Sequence, residues 1–275
     1  MKIHAIQTGI VQVKTAFLAG SAKAGGILPF LMRLHREYPY VDLPIYAWVI
    51  EHPDGVVVVD TGDTYSTKTT WLIQSRRIVT PEQEIGAQLK MLGIGKKDIA
   101  KVVLTHIHSD HADGVKHFPD TPIWISQGEY KNLHSVAGKV LNRMTVELPT
   151  WFDPQPIPMK QERFASFDAH YPLTQSGDVI AVLTPGHTPG HISVIVISEG
   201  KHYFLAGDVT YDEAGLIHQA MQGPTAAPAQ QPDTLARVLR YTQTNPTVYL
   251  PSHDHASAQR LTDGQIVPQT PTQIH

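Results

Sequence analysis

Two short apolar runs, residues 45–52 (IYAWVIEH) and 56–62 (VVVVDTG), flank Pro53-Asp54-Gly55 and predict two strands joined by a hairpin-like turn. A helix is predicted further on. Thr80 supplies an N-cap, Pro81 a first helical residue and Gln83 the far side of a capping box. Ile85, Leu89 and Leu92 then form one apolar face, which Gly93 ends. Residues 101–105 (KVVLT) and 121–126 (TPIWIS) read as short buried strands. The second half repeats the rhythm, with strands at 179–184, 192–198 and 202–206 and a helix from 233 to about 241 on which Leu235, Val238 and Leu239 share a face. Residues 247–250 make the last strand.

Hairpins mixed with strand-loop-helix units imply a layered α/β protein whose sheets are covered by helices. No repeat of solenoid period and no long charge run breaks the chain. Two segments carry no predicted element. Residues 18–44 hold Gly25, Gly26, Pro29, Pro39 and Pro44 among apolar residues, and residues 211–232 are rich in Ala, Gln, Gly and Pro. Segments of that length in a compact domain are often lids, binding loops or contact arms.

Composition narrows the chemistry. The 275 residues are 41% hydrophobic and 17% charged, as expected of a globular chain, and the expectation is a single domain over 1–275. Cysteine is absent and histidine numbers 16, so thiolate chemistry is excluded and any metal site must use nitrogen and oxygen. A net charge of -3 offers no field for nucleic acid. The N-terminus is interrupted by His4, Gln7, Thr8, Gln12 and Lys14, so it lacks the apolar core of an export signal. No run approaches the ~18 apolar residues of a spanning helix. The expected location is the cytoplasm, without membrane or nucleic-acid partners.

Directly after KVVLT comes His106-Ile107-His108-Ser109-Asp110-His111. Residues two apart on extended backbone point the same way, so His106 and His108 can reach one metal, while Asp110 and His111 turn toward a second position. Such ligands buried without partners would cost several kcal/mol, which argues against ordinary packing. Further candidates follow later strands, where open sheets place their sites: His187 in TPGHTPGH, Asp208 after HYFLAG and His253 after TVYLPS.

With these residues in this order the chain resembles the metallo-β-lactamase superfamily of hydrolases. The resemblance implies a four-layer αββα sandwich, with two mixed sheets flanked by helices. It implies one metal on His106, His108 and His187, another on Asp110, His111 and His253, and Asp208 bridging them. Asp60 in VDTG matches a position that supports the ligands, and His191 is a candidate for the same task. The cofactor expected is a pair of divalent ions, zinc first, with Fe, Mn or Co also suited to the donors.

Within the superfamily, the antibiotic-destroying enzymes have a different residue in place of His111 and often a cysteine ligand. Glyoxalase II adds a helical C-terminal domain, which is not expected here, where about twenty residues follow His253. Tyr211, three residues after Asp208, resembles a tyrosine of quorum-quenching N-acyl-homoserine lactonases. The resemblance implies opening of the lactone ring by a hydroxide bridging the metals, with Asp110 relaying the proton and Tyr211 hydrogen-bonded to the developing oxyanion. Segment 27–34 (ILPFLMRL), with Phe30 and Met32, is a candidate wall for the acyl chain or the arm of a homodimer. The alternatives are another small-ester or phosphotriester hydrolase resembling methyl parathion hydrolase, and a non-catalytic metal-binding protein.

Overall fold

Strand β3 (Val56–Val59) sets out the layering in four consecutive valines. In the computed structural model, which describes residues 1–19, 27–65 and 74–269, Val57 and Val59 enter one buried cluster while Val56 and Val58 enter another. Side chains alternate along a strand, so a strand is apolar throughout only where both faces are covered. The later strand 192–198 does the same: Val194 and Val196 meet Val57 and Val59, and Ile195 faces the other way.

Two mixed sheets result. Among the described residues the first comprises β1 (Lys2–Lys14), β2 (Tyr40–Glu51), β3, β4 (Arg76–Ile78), β5 (Ile99–Val103), β6 (Ile123–Ile125) and β7 (Gln155–Pro156), in the order β4-β1-β2-β3-β5-β6-β7. Pairing is antiparallel from β4 to β3 and parallel from β3 to β7. The second sheet comprises β8 (His170–Pro172), β9 (Val179–Leu183), β10 (Ile192–Ser198), β11 (Lys201–Gly207) and β12 (Thr247–Pro251), in the order β12-β11-β10-β9-β8, with only β11 and β12 parallel.

Trp48, Val59 and Val103 meet Val194, Leu205 and Leu250 between the sheets. Outside the first sheet, α3 (Ile85–Met91) buries Ile85 and Leu89 over Val49, Val58 and Leu104. Outside the second, α8 (Gln231–Thr244) buries Leu235, Val238 and Tyr241 over Ile195, Phe204 and Tyr249. The architecture is the αββα sandwich. Among the described residues no helix is long and apolar enough to cross a membrane.

Several elements differ from the sequence-based expectation. β1 is a 13-residue strand with a register shift between Gln7 and Gly9; its polar residues hide the pattern, because they alternate only partly with the buried ones. Helix α3 begins at Ile85, not near Thr80. The Thr80 N–H does donate to Gln83 Oε1 (2.9 Å), but it caps a turn. Glu84 stays extended because its carboxylate accepts from His117 Nε2 (2.6 Å) and from the Tyr65 N–H. The segment 18–44 holds α2 (Ile27–Leu34), which follows α1 (Thr15–Leu18), and the start of β2. The segment 211–232 holds α7 (Glu213–Ile217), capped by Asp212. Helices α5 (Gln127–His134) and α6 (Val136–Thr145), capped by Ser126 and Ser135, had no counterpart in the reading of the sequence.

The C-terminal ends of β3, β5, β9, β11 and β12 gather at one edge, where backbone bonds join the sheets. The Ile192 N–H donates to Thr105 O (3.0 Å) and the Tyr46 N–H to Ser252 O (3.0 Å). Behind this edge Gly114 packs so tightly that a Cβ would overlap the Thr61 carbonyl. Gly114→Ala should therefore lose about 1–3 kcal/mol of stability. A urea midpoint equal to that of the wild type would show that the Thr61 carbonyl can move aside.

Candidate metal centre

After β5 the chain bends at Thr105 and His106, and His108, in extended backbone, leads into α4 (Ser109–Ala112), whose Ala112 N–H donates back to His108 O (2.9 Å). That turn separates the two histidines before it from the Asp110 and His111 after it. His106 Nε2 and His187 Nε2 each lie 2.9 Å from His108 Nδ1. Asp208 stands between the two halves. Its Oδ1 is 3.1 Å from His111 Nε2 and 3.4 Å from His253 Nε2, and its Oδ2 is 3.3 Å from His187 Nε2. Asp110 Oδ2 lies 3.4 Å from His253 Nε2. The donor atoms form three overlapping groups, each within 4.8 Å: His106, His108 and His187; His106, His111 and Asp208; Asp110, His111 and His253.

Hydrogen bonds on the far side of the rings dictate which nitrogens carry protons. Asp60 Oδ1 accepts from the Thr105 N–H (2.8 Å), and Oδ2 accepts from the Thr105 hydroxyl (2.9 Å). With its proton given to Asp60, Thr105 Oγ1 can only accept from His106 Nδ1 at 3.0 Å, which leaves His106 Nε2 with a lone pair. Asp60 Oδ2 also lies 2.8 Å from His111 Nδ1, and as a carboxylate it accepts there too. His253 Nδ1 donates to Pro44 O (2.8 Å), which turns Nε2 toward the centre, and burial of this ring is outweighed by Asp208 and Asp110, which raise its pKa. His191 works differently. Its Nε2 accepts the Asp208 N–H (3.1 Å), so its Nδ1 donates to Thr184 Oγ1 (2.9 Å), and it thereby fixes the backbone of Asp208. A Cβ at Gly207, whose φ is +57°, would come 2.7 Å from His191 Nε2, so glycine lets this contact form.

These donors suit cations. Three ring nitrogens meet around His108 with too few protons to pair them, and His111 Nε2 and Asp208 Oδ1 are buried without an aligned hydrogen bond. Burial, then the neighbouring imidazoles His111 and His108, holds the His106 pKa well below its ordinary value. Burial does the same for His187 and carries His191 to about 3. Around Asp208, burial opposes the charge, but His253, His111 and His187 outweigh it and hold the carboxyl well below the usual range. For His111, burial is outweighed by Asp208 and Asp60, which keep it protonated in the absence of a cation. Imidazoles around carboxylates form a nitrogen and oxygen donor set for divalent ions, which would displace the proton from His111.

Tyr211 is buried, its ring 5.2 Å from the His253 ring and nearly perpendicular to it. Burial, followed by Asp208 and Asp110, raises its phenol well above the ordinary pKa, so it remains an O–H donor. Phe30 and Met32 do not share a wall. Two positions apart on α2, they face different ways: Phe30 is fully buried behind Phe17, and Met32 is 67% exposed.

Two further groups escaped the sequence reading. Glu129, buried in α5, accepts from Thr188 Oγ1 (2.5 Å) and from the Ile107 N–H (3.3 Å), joining the loops of His187 and His106. Arg77 Nη1 lies 3.0 Å from both Asp63 and Asp113, clamping the loop after β3 to the turn after His111. The only sequence signal was the acidic residue recurring close to each motif, in DTGD and HSDHAD.

Fold and site together define a layered protein with a candidate two-cation centre at the seam of its sheets. The chain belongs to the metallo-beta-lactamase superfamily, whose model matches residues 40–253. It is 23% identical over 231 residues to the N-acyl homoserine lactonase AttM of Rhizobium radiobacter, covering 78% of this chain and 82% of the relative. It is 27% identical over 169 residues to an N-acyl homoserine lactonase of Bacillus cereus, covering 58% and 60%. A solved N-acyl homoserine lactone hydrolase with N-hexanoyl-L-homoserine at its catalytic metal centre superposes with a TM-score of 0.70 at 20% identity, over 98% of each chain. AidC, a dizinc quorum-quenching lactonase, superposes with a TM-score of 0.60 at 16% identity, over 92% and 89%.

Asp60→Asn places an amide where three donors converge and should weaken metal affinity about 10- to 100-fold. Titration against a chelating indicator measures this; unchanged affinity would remove Asp60 from the support of the centre. A second expectation concerns pH. Burial raises Asp63 to about 7 against the pull of Arg77, and burial raises Asp113 to about 6. A carboxyl with a raised folded pKa binds its proton more tightly in the folded state, so stability falls as pH rises from the unfolded value toward the folded one. Between about pH 4 and 7 the wild type should lose stability relative to Asp63→Asn, by on the order of 1 kcal/mol per pH unit. Denaturation curves that stay parallel across that window would contradict it.

Proposed function

We propose that this protein is a hydrolase that opens the lactone ring of N-acyl homoserine lactones, with two divalent ions as cofactors and zinc as the metal. One ion would be held by His106, His108 and His187 and the other by Asp110, His111 and His253, with Asp208 shared. The observation that carries this reading is the buried phenol ring of Tyr211, 5.2 Å from the His253 ring at the edge of this donor set. The names of the relatives support the substrate class.

Two bound cations would supply a nucleophilic water at neutral pH and Lewis acidity toward a carbonyl. The chain's own groups do the rest. Tyr211 donates a hydrogen bond to the carbonyl oxygen as negative charge develops on it, where a fixed donor counts most. Its raised pKa keeps the proton on the phenol, so the donor is not lost to ionisation. Asp110, whose side chain is 19% exposed, borders solvent as well as the centre and is placed to take up a proton from water and pass it on. When the ring C–O bond breaks, the leaving oxygen receives that proton and becomes the hydroxyl of the N-acyl homoserine. Water is added across one ester bond.

The test is to load the protein with zinc, measure its metal content, and compare hydrolysis of short- and long-chain acyl homoserine lactones with that of a phosphotriester and a β-lactam. Lactones should be the best substrates. Protein holding two metals that leaves them intact would overturn the reading, and preference for the phosphotriester would favour the alternative hydrolase. Tyr211→Phe should lower kcat about 10- to 100-fold at unchanged metal content.

A further inference from the structure

Tyr211 is confined by residues that no motif marks. The ring of Phe17, in α1, lies parallel to it within 9° at 6.1 Å between centroids. Phe17 cannot move away, because Phe30 packs against it (5.8 Å) and the two share a buried cluster with Val13, Leu34 and Ile45. The His253 ring presents itself at 89°. At the tip of the phenol sits Gly223, with φ +67°, where a Cβ would overlap the hydroxyl and come 2.6 Å from Cζ. The loop carrying Gly223 is tied down on both sides. Gln222 Oε1 accepts the Tyr211 N–H (2.7 Å), and the Ala226 and Ala227 N–H groups donate to His187 O (2.9 Å) and Gly186 O (3.0 Å).

We propose that Phe17 and Gly223 are positioning residues for the Tyr211 hydroxyl: Phe17 sets the plane of the phenol, and Gly223 limits the travel of the hydroxyl toward its own loop. This inference rests on the reading of Tyr211 as the donor to the substrate carbonyl. A ring with one parallel neighbour and one perpendicular neighbour has little freedom about its side-chain bonds, since both contacts worsen on rotation. A donor acts on a transition state only from a narrow range of positions, so a small tilt lowers turnover without weakening substrate binding to the same degree.

The experiment is a mutant cycle on zinc-loaded protein with a short-chain acyl homoserine lactone. Phe17→Leu keeps an apolar side chain but removes the stacked plane, and should lower kcat about tenfold, with KM changed less than about threefold and metal content unchanged. Phe17→Tyr, which keeps the ring, should restore most of the rate. In a Tyr211→Phe background, Phe17→Leu should cost nothing further, because the hydroxyl it positions is gone. Gly223→Ala gives an independent arm: its loss of kcat should shrink in the Tyr211→Phe background, which makes room at the tip of the ring. Equal losses in both backgrounds, or losses confined to KM, would overturn the inference while leaving the donor role of Tyr211 standing. A Tyr211→Phe enzyme with wild-type kcat would instead remove the donor role, and the positioning claim with it.

Discussion

A buried carboxylate, that of Asp60, ties the centre together. An anion taken out of water must be satisfied by its neighbours, and Asp60 meets that demand with Thr105 and His111, which lie at the start and end of the ligand motif. In satisfying itself it directs His106 Nε2 and His111 Nε2 inward, one toward each candidate cation position. The backbone pays for this with φ 61° at a non-glycine residue, a conformation kept by the Asp60 N–H bond to Val103 O and the Thr61 N–H bond to His111 O.

The same logic spreads outward. His253 is oriented by the carbonyl of Pro44, from the first sheet, and Asp208 by His191, from the second. Glu129 links the His106 and His187 loops through a hydroxyl and a backbone N–H. His111, Asp208 and His253 are thus each held by a bond that leaves their own loop, and the two sheets must be docked for the donors to converge. Apolar strands buried on both faces serve chemistry here, because they make the relative position of the sheets rigid.

What the sequence revealed depended on how local the signal was. Six residues carry four ligands in one motif, and the valine run of β3 declares its double burial, so both could be read directly. β1 could not, because its polar residues make sense only against a partner whose register begins with Lys2 opposite Glu51. The capping pattern at Thr80 does not start α3 because it is outweighed by Glu84, whose partners lie 19 to 33 residues away. Phe17, Glu129 and Gly223 were invisible for the same reason, and Arg77 was marked only by its acidic partners Asp63 and Asp113 beside the motifs. Their roles consist of contacts with residues distant in the chain, and nothing in a single sequence announces those.

The bond from His253 to Pro44 spans 209 positions of sequence. Four of the seven donors, from His106 to His111, exist as soon as one short stretch is made, whereas His187 and Asp208 follow later strands and His253 waits for β12. During synthesis from the N-terminus, domains acquire long-range contacts only after the distant segment has emerged. A cation captured early would meet an open, incomplete set of ligands and be exchanged freely. The donor set closes only with the arrival of β12, so the geometry of the centre depends on a strand made long after the motif that dominates it.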